Sequence, residues 1–192
     1  MKFHQLLALI GLALILTTST AMSNPETFKV DPVHSMIFFK IQHAGAAFSY
    51  GMFFGPEGSF VVDQEDPENS SVQVQVKAEN INTGNANRDN HIKGPDFLNA
   101  KQFRVISFKS TAIKPVANKQ YELKGTMSLH GVEKEITATL EESGRGEMRG
   151  QTKAGYEAKF SIKRSDFGMT NMVGPVGDEI YFMVTLEGDL QK

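Results

Sequence analysis

The groups from which this chain could assemble chemistry are few and scattered: five histidines, 22 aspartates and glutamates, 20 lysines and arginines, and no cysteine. The lack of cysteine removes thiol nucleophiles, zinc-thiolate sites, iron–sulfur clusters and disulfide frameworks together. Metal binding would then fall to histidine, and the spacing does not suit it. His34 and His43 have opposite parity on one extended run, with about 30 Å of strand between them. His91 and His130 carry no HxH or HExxH spacing. Hydrolysis is no better served, because His34 and Ser35 are neighbours whose side chains leave opposite faces of a strand, and no GxSxG elbow occurs. Two polar groups remain, Arg88, Asp89 and His91 beside a short helix, and Arg164 with Asp166 at a strand end. Either group could touch a ligand headgroup, but the favoured reading is that they pair and cap loops, as charged residues near strand ends commonly do. The expectation is no catalytic residue, no metal, no resident cofactor, and a protein that is not an enzyme. The net charge of −2, with no basic run, also excludes nucleic acid, whose phosphates need clustered cations.

The elements that must position these residues are strands. Residues 72–78 (VQVQVKA) alternate apolar and polar strictly, the period of a sheet with one wet face. The same period returns around Ile37, Phe39 and Ile41, around Ile106 and Phe108, and through Tyr121, Leu123, Gly125, Met127 and Leu129. It recurs at Ile136, Ala138 and Leu140, at Tyr156, Ala158 and Phe160, and at Ile180, Phe182 and Val184. With a run near 59–63, about eight strands are expected. Short polar connections at 63–71, 115–119, 130–131 and 143–146 imply antiparallel neighbours. One short helix is expected over 87–93, closed by Gly94 and Pro95. Long amphipathic antiparallel strands close most simply into a barrel. Eight strands leave an interior that side chains can fill or that can hold one small ligand. The pattern alone leaves a filled, flattened barrel or sandwich open.

The first 23 residues read as a leader rather than as part of the fold. Lys2 supplies a positive start, and residues 6–16 (LLALIGLALIL) form an uncharged apolar run too short to span a bilayer comfortably. Ala21 and Ser23 then suit cleavage before Asn24. The expectation is a cleavable secretory signal over 1–23 and a single domain over 24–192 in the periplasm, with no stable membrane insertion after cleavage.

Six motifs run in order along the remainder: Asp31-Pro32-Val33-His34-Ser35; Arg88-Asp89-Asn90-His91-Ile92 with Asp96-Phe97-Leu98; Ile106-Ser107-Phe108-Lys109-Ser110; Gly125-Thr126-Met127-Ser128-Leu129-His130-Gly131-Val132; Arg164-Ser165-Asp166-Phe167-Gly168; and Val176-Gly177-Asp178-Glu179-Ile180. In these the chain resembles the YceI-like family of bacterial proteins, from about residue 28 to 188. Phe103-Arg104 departs from the family's aromatic-Pro pair, at the entry to a strand. The resemblance implies an all-β, extended, eight-stranded lipocalin-like barrel whose apolar pore binds an amphiphile such as a polyisoprenoid, an isoprenoid quinone or a fatty-acid derivative. It implies an exported protein linked to isoprenoid handling, transport or stress responses.

In such a barrel the pore wall would comprise Ile37, Phe39, Ile41, Val74, Val76, Phe108, Leu123, Met127, Tyr156, Phe160, Phe182 and Val184. Two stretches rich in glycine, methionine and aromatics, 44–58 and 167–179, would form the mouth, with Phe48, Tyr50, Phe53, Met169 and Met172 as its portal. Arg88, Asp89, His91, Arg164 and Asp166 would be the headgroup contacts. The expected partner is the amphiphilic lipid, and Met36 and Phe38 on the opposite face of the first long strand leave room for a homodimer contact. The rival readings are a packed interaction protein and, less favoured, an enzyme acting on lipids.

Overall fold

Apolar side chains on one face of each strand require a surface to bury against, and in this protein the sheet supplies it by closing on itself. The computed structural model describes residues 24–192; the expected leader over 1–23 lies outside the described residues. Eleven strands follow in order: β1 (Glu26–Val30), β2 (Met36–His43), β3 (Ala47–Phe54), β4 (Glu57–Val62), β5 (Ser71–Lys77), β6 (Ile81–Asn82), β7 (Val105–Ala117), β8 (Gln120–Leu129), β9 (Val132–Met148), β10 (Gln151–Lys163) and β11 (Val176–Leu190). The helix α1 (Ala86–Lys93) sits between β6 and β7. Neighbours run β1-β4-β5-β7-β8-β9-β10-β11, and β11 returns to β1 through Phe28 opposite Leu190, which closes an antiparallel barrel of eight strands. The first half of β11 pairs instead with β2, which pairs with β3. β1 with β2, and β3 with β4, are therefore the limbs of two bent strands, so the barrel is longer than its short strands alone would allow.

Side-chain chemistry fixes the first bend. Ser35 is buried, donating its hydroxyl to the Glu187 carbonyl at 3.2 Å and accepting from the Glu187 N–H at 2.9 Å. Asp31 Oδ2 meets His34 Nδ1 at 2.7 Å, and Lys153 Nζ reaches Glu187 at 2.8 Å, Asp189 at 2.7 Å and Asp31 at 3.4 Å. Asp31, His34 and Glu187 bring possible metal-ligand atoms within 4.8 Å of one another, a cluster the histidine spacing did not reveal; the Lys153 ammonium already supplies its cation.

Two expectations are corrected. Residues 44–58 are not a mouth loop. They hold the β2–β3 turn, with positive φ at Ala44 and Gly45, and then β3 itself. The period was hidden because the outer face of β3 carries Phe48, Tyr50, Met52 and Phe54, apolar like the inner one. With Met36 and Phe38 on β2 and Tyr181 and Met183 on β11, these residues form an exposed to half-buried apolar outer face around Lys40. The glycines at 144 and 146 do not mark a turn, because β9 runs through them and the chain reverses at Arg149 and Gly150 (φ 55° and 77°). Glycine inside a strand marked a bulge instead. The helix forms where expected, with Asn85 accepting from the Arg88 N–H at 3.0 Å and Gly94 closing the last turn.

Three inward glycines carry aromatic rings. A Cβ on Gly51 would collide with the Phe39 ring, one on Gly125 with Phe108 and the Lys109 carbonyl, and one on Gly188 with Phe60. Gly125→Ala should therefore lower stability by about 1–3 kcal/mol in urea unfolding, because the ring and a backbone carbonyl would both have to shift.

The Asp31–His34 bond also sets a pH response. The hydrogen bond from His34 holds the Asp31 carboxyl below its ordinary range, and the Asp31 carboxylate raises the His34 imidazole above 6.5. Stability from Asp31 is present above pH 3.8 and lost on acidification. Stability from His34 is complete below pH 6.5 and lost as pH climbs through its raised value. An NMR titration should place the His34 midpoint above 6.5, and Asp31→Asn should return it towards that value.

Candidate functional site

The barrel is hollow. A cavity of about 610 Å³ runs along its axis, so an interior plugged by its own side chains is not what this chain builds. All twelve residues expected on the wall border the cavity: Ile37, Phe39 and Ile41 from β2, Val74 and Val76 from β5, Phe108 from β7, Leu123 and Met127 from β8, Tyr156 and Phe160 from β10, and Phe182 and Val184 from β11. Between Tyr121 and Leu129, which also border it, lie roughly 27 Å of strand, or about 20 Å of axis at the usual barrel tilt. The wall is aromatic as well as aliphatic, with Phe160 stacked on Phe182 at 5.0 Å and Phe39 tilted against Phe53 at 5.7 Å.

Helix α1 and the segment after β10 cover one end. Of the expected portal, Met172 borders the cavity and is exposed, so it forms part of the rim; Tyr50 also borders it, but its place on β3 turns its side chain to the outer face. Phe53 and Met169 border it from within the buried core. Phe48 does not border it. Odd-numbered residues of β3 point inward, so Phe48 points out, edge-on to Tyr181 at 6.0 Å and beneath the Lys40 ammonium.

The five expected headgroup contacts are not brought together as one polar cluster. Arg88 borders the cavity but gives Nε to the Thr83 hydroxyl at 2.8 Å and Nη2 to the Thr83 carbonyl at 2.7 Å. Asp89 faces the same threonine, accepting from its N–H at 2.8 Å and its hydroxyl at 2.6 Å, and so ties α1 to the chain before it. His91 borders the cavity at an exposed position, 3.8 Å from Asp96. Asp166 is exposed and away from the cavity.

Arg164 borders the cavity but is only 2% exposed, and its guanidinium donates to four backbone carbonyls: Gly177 at 2.9 Å, Met169 at 2.8 Å, Asn171 at 2.7 Å and Val176 at 3.1 Å. Burial lowers its pKa, and the nearby Asp178 charge opposes that. Asp178 is itself pushed up by burial, but the N–H and hydroxyl of Ser165 and the charge of Arg164 outweigh this and hold it below its ordinary value. The sequence offered Arg164 as a headgroup contact or, preferentially, as a residue that pairs and caps a loop; its hydrogen bonds make it a strut for the loop after β10 and the start of β11.

The opposite end was not foreseen. There Asn118, Lys119, Tyr121, Glu142, Arg145 and Gln64 border the cavity. The glycines around Arg145 were the available signal, since a bulge changes which side chains face inward.

Known proteins now place the chain. The YceI-like domain family matches residues 28–188. Protein YceI of Salmonella arizonae is 32% identical over 181 residues, 94% of each chain. The chain belongs to the YceI-like family. The Campylobacter jejuni YCEI protein superposes with a TM-score of 0.71 at 27% identity, covering 80% of this chain and 91% of its own. A polyisoprenoid binding domain from Saccharophagus degradans shares the fold, with a TM-score of 0.66 at 13% identity, covering 85% and 98%. Among the described residues no helix is long and apolar enough to cross a membrane.

In this YceI-like barrel, Arg164→Met would take a donor from four carbonyls, of which Val176 keeps the Gly174 N–H. An unsatisfied buried acceptor costs about 1–3 kcal/mol. The variant should lose at least about 3 kcal/mol and speed amide exchange over residues 169–177 more than in β8.

Proposed function

We propose that this protein is a periplasmic binding and carrier protein for one isoprenoid-type amphiphile, a polyisoprenoid, an isoprenoid quinone or a fatty-acid derivative, held lengthwise in the barrel. The single observation that carries this reading is the continuous apolar cavity of about 610 Å³. Volumes of that order suit ligand sites that bury most of a small molecule. The polyisoprenoid-binding domain of the same fold supports the ligand class, and the leader-like pattern of residues 1–23 supports export. A binding role without catalysis is favoured because Arg88, Asp89 and Arg164 spend their hydrogen bonds on the protein's own chain.

Energetics agree with a tail-binding pore. Each five-carbon isoprene unit buried contributes on the order of 3–4 kcal/mol gross, at about 0.8 kcal/mol per carbon. Ordering the chain and losing its translation offset much of that. A few buried units still reach micromolar affinity, near −8 kcal/mol.

Native mass spectrometry of protein isolated from its own cells should show about one lipid per barrel, releasable into organic solvent. Ala158 borders the cavity between Leu140 and Val184. Ala158→Trp should lose the lipid while keeping a β-type circular dichroism spectrum. Repeated isolation without lipid, together with no binding of added prenyl quinones, would overturn the proposal.

A further inference from the structure

The end of the cavity away from α1 is built differently from the rest, and its polar groups come from a register shift. Along β9 and β10, Gly144 lies opposite Gly155 but Glu142 lies opposite Tyr156, which leaves Ser143 without a partner. That extra residue resets the alternation. Glu142 and Arg145, three positions apart, therefore both border the cavity.

Both cations here already hold a carboxylate. Arg145 Nη2 lies 2.9 and 2.8 Å from the two oxygens of Glu26, and Lys119 Nζ lies 3.0 Å from Glu142 Oε1. An anionic headgroup would have to break one of these pairs or sit beside the paired carboxylate. Among the other polar side chains that border this end, beside Gln64, Ser71 and Asn118, two are phenols. Tyr121 on β8 and Tyr156 on β10 border the cavity, and neither hydroxyl makes a hydrogen bond among the described residues. The Tyr156 ring also stands edge-on to Phe60 at 5.6 Å, and Phe60 is stacked on Phe28 at 5.1 Å. Burial, reinforced by the Glu142 charge, pushes the Tyr156 phenol up to about 12. It therefore stays protonated, and a donor, throughout the physiological range.

We infer that this end is the headgroup subsite, where the Tyr156 and Tyr121 hydroxyls donate to the oxygen of a neutral ring head of the quinone class while the tail runs towards α1. This assignment rests on the lipid-binding reading above and deepens it. Phe60 offers a flat head an aromatic wall, and the two hydroxyls supply donors that a carbonyl oxygen lacks in the hydrocarbon stretch beyond. Paired charges at the rim disfavour a phosphate or carboxylate head on an otherwise identical tail.

Calorimetric titration of the purified protein with three probes of equal prenyl length tests this: a short-chain prenyl quinone, a prenyl phosphate and a headless isoprenoid hydrocarbon. The quinone should bind most tightly. Tyr156→Phe should weaken quinone binding about fivefold to tenfold, the value of one hydrogen bond, and weaken hydrocarbon binding by less. The NMR signal of a ¹³Cζ-labelled Tyr156 should shift on adding the quinone and not on adding the hydrocarbon. Tightest binding of the phosphate, or a Tyr156→Phe variant that binds the quinone as well as the parent, would overturn the subsite with lipid binding intact. If none of the three probes binds, both the subsite and the lipid-binding reading fall.

Discussion

An eight-stranded barrel has so little interior that ordinary side chains fill it, and the rest of this structure depends on keeping them from doing so. Backbone glycine opposite aromatic rings is the means. Phe39 lies over Gly51, Phe108 over Gly125 and Phe60 over Gly188, at distances that a Cβ would forbid. Each ring thus lies against the sheet instead of projecting across the axis. The two bent strands add length at the same time, β1 with β2 and β3 with β4. The hollow is elongated rather than spherical, and its wall is aromatic and aliphatic.

Polar chemistry is kept out of the hydrocarbon stretch and handled separately at the two ends. Near α1, the buried Arg164 donates to two carbonyls of the loop before β11, Met169 and Asn171, and to the first two of β11, Val176 and Gly177, fixing a segment rich in glycine and methionine as a lip. Its charge is offset by Asp178, which Ser165 holds in place. At the other end, charges meet in pairs, Glu26 of β1 with Arg145 of β9 and Lys119 of the β7–β8 turn with Glu142 of β9. A buried charge without such partners would be costly; here each charged group named has carbonyl, hydroxyl or carboxylate neighbours.

Much of this was legible in the chain, and the misses have physical causes. Strict alternation at Val72, Val74 and Val76 exposed β5, and the same parity argument picked wall residues that all border the cavity, because one wet face makes period two visible. β3 escaped notice because Phe48, Tyr50, Met52 and Phe54 make its outer face as apolar as its inner one. The bulge at Ser143 was hidden because Gly144 and Gly146 carry the composition of a turn. Arg164 was legible as a loop cap, but what it holds was not. Its partners are backbone carbonyls, which no side-chain pattern announces, and the loop that supplies them is shaped only once the barrel forms. The six ordered motifs placed the family directly, since they span nearly the whole barrel.

The pairing of Phe28 with Leu190 brings the start of β1 and the finish of β11 to one rim, the same rim where Glu26 holds Arg145. A tag or surface linkage attached ahead of β1 or after β11 would therefore stand the molecule on that rim, with α1 facing outward. A linkage at either of these two points presents the same end to solution, and a fusion partner joined directly there crowds the tyrosine end rather than the helical one.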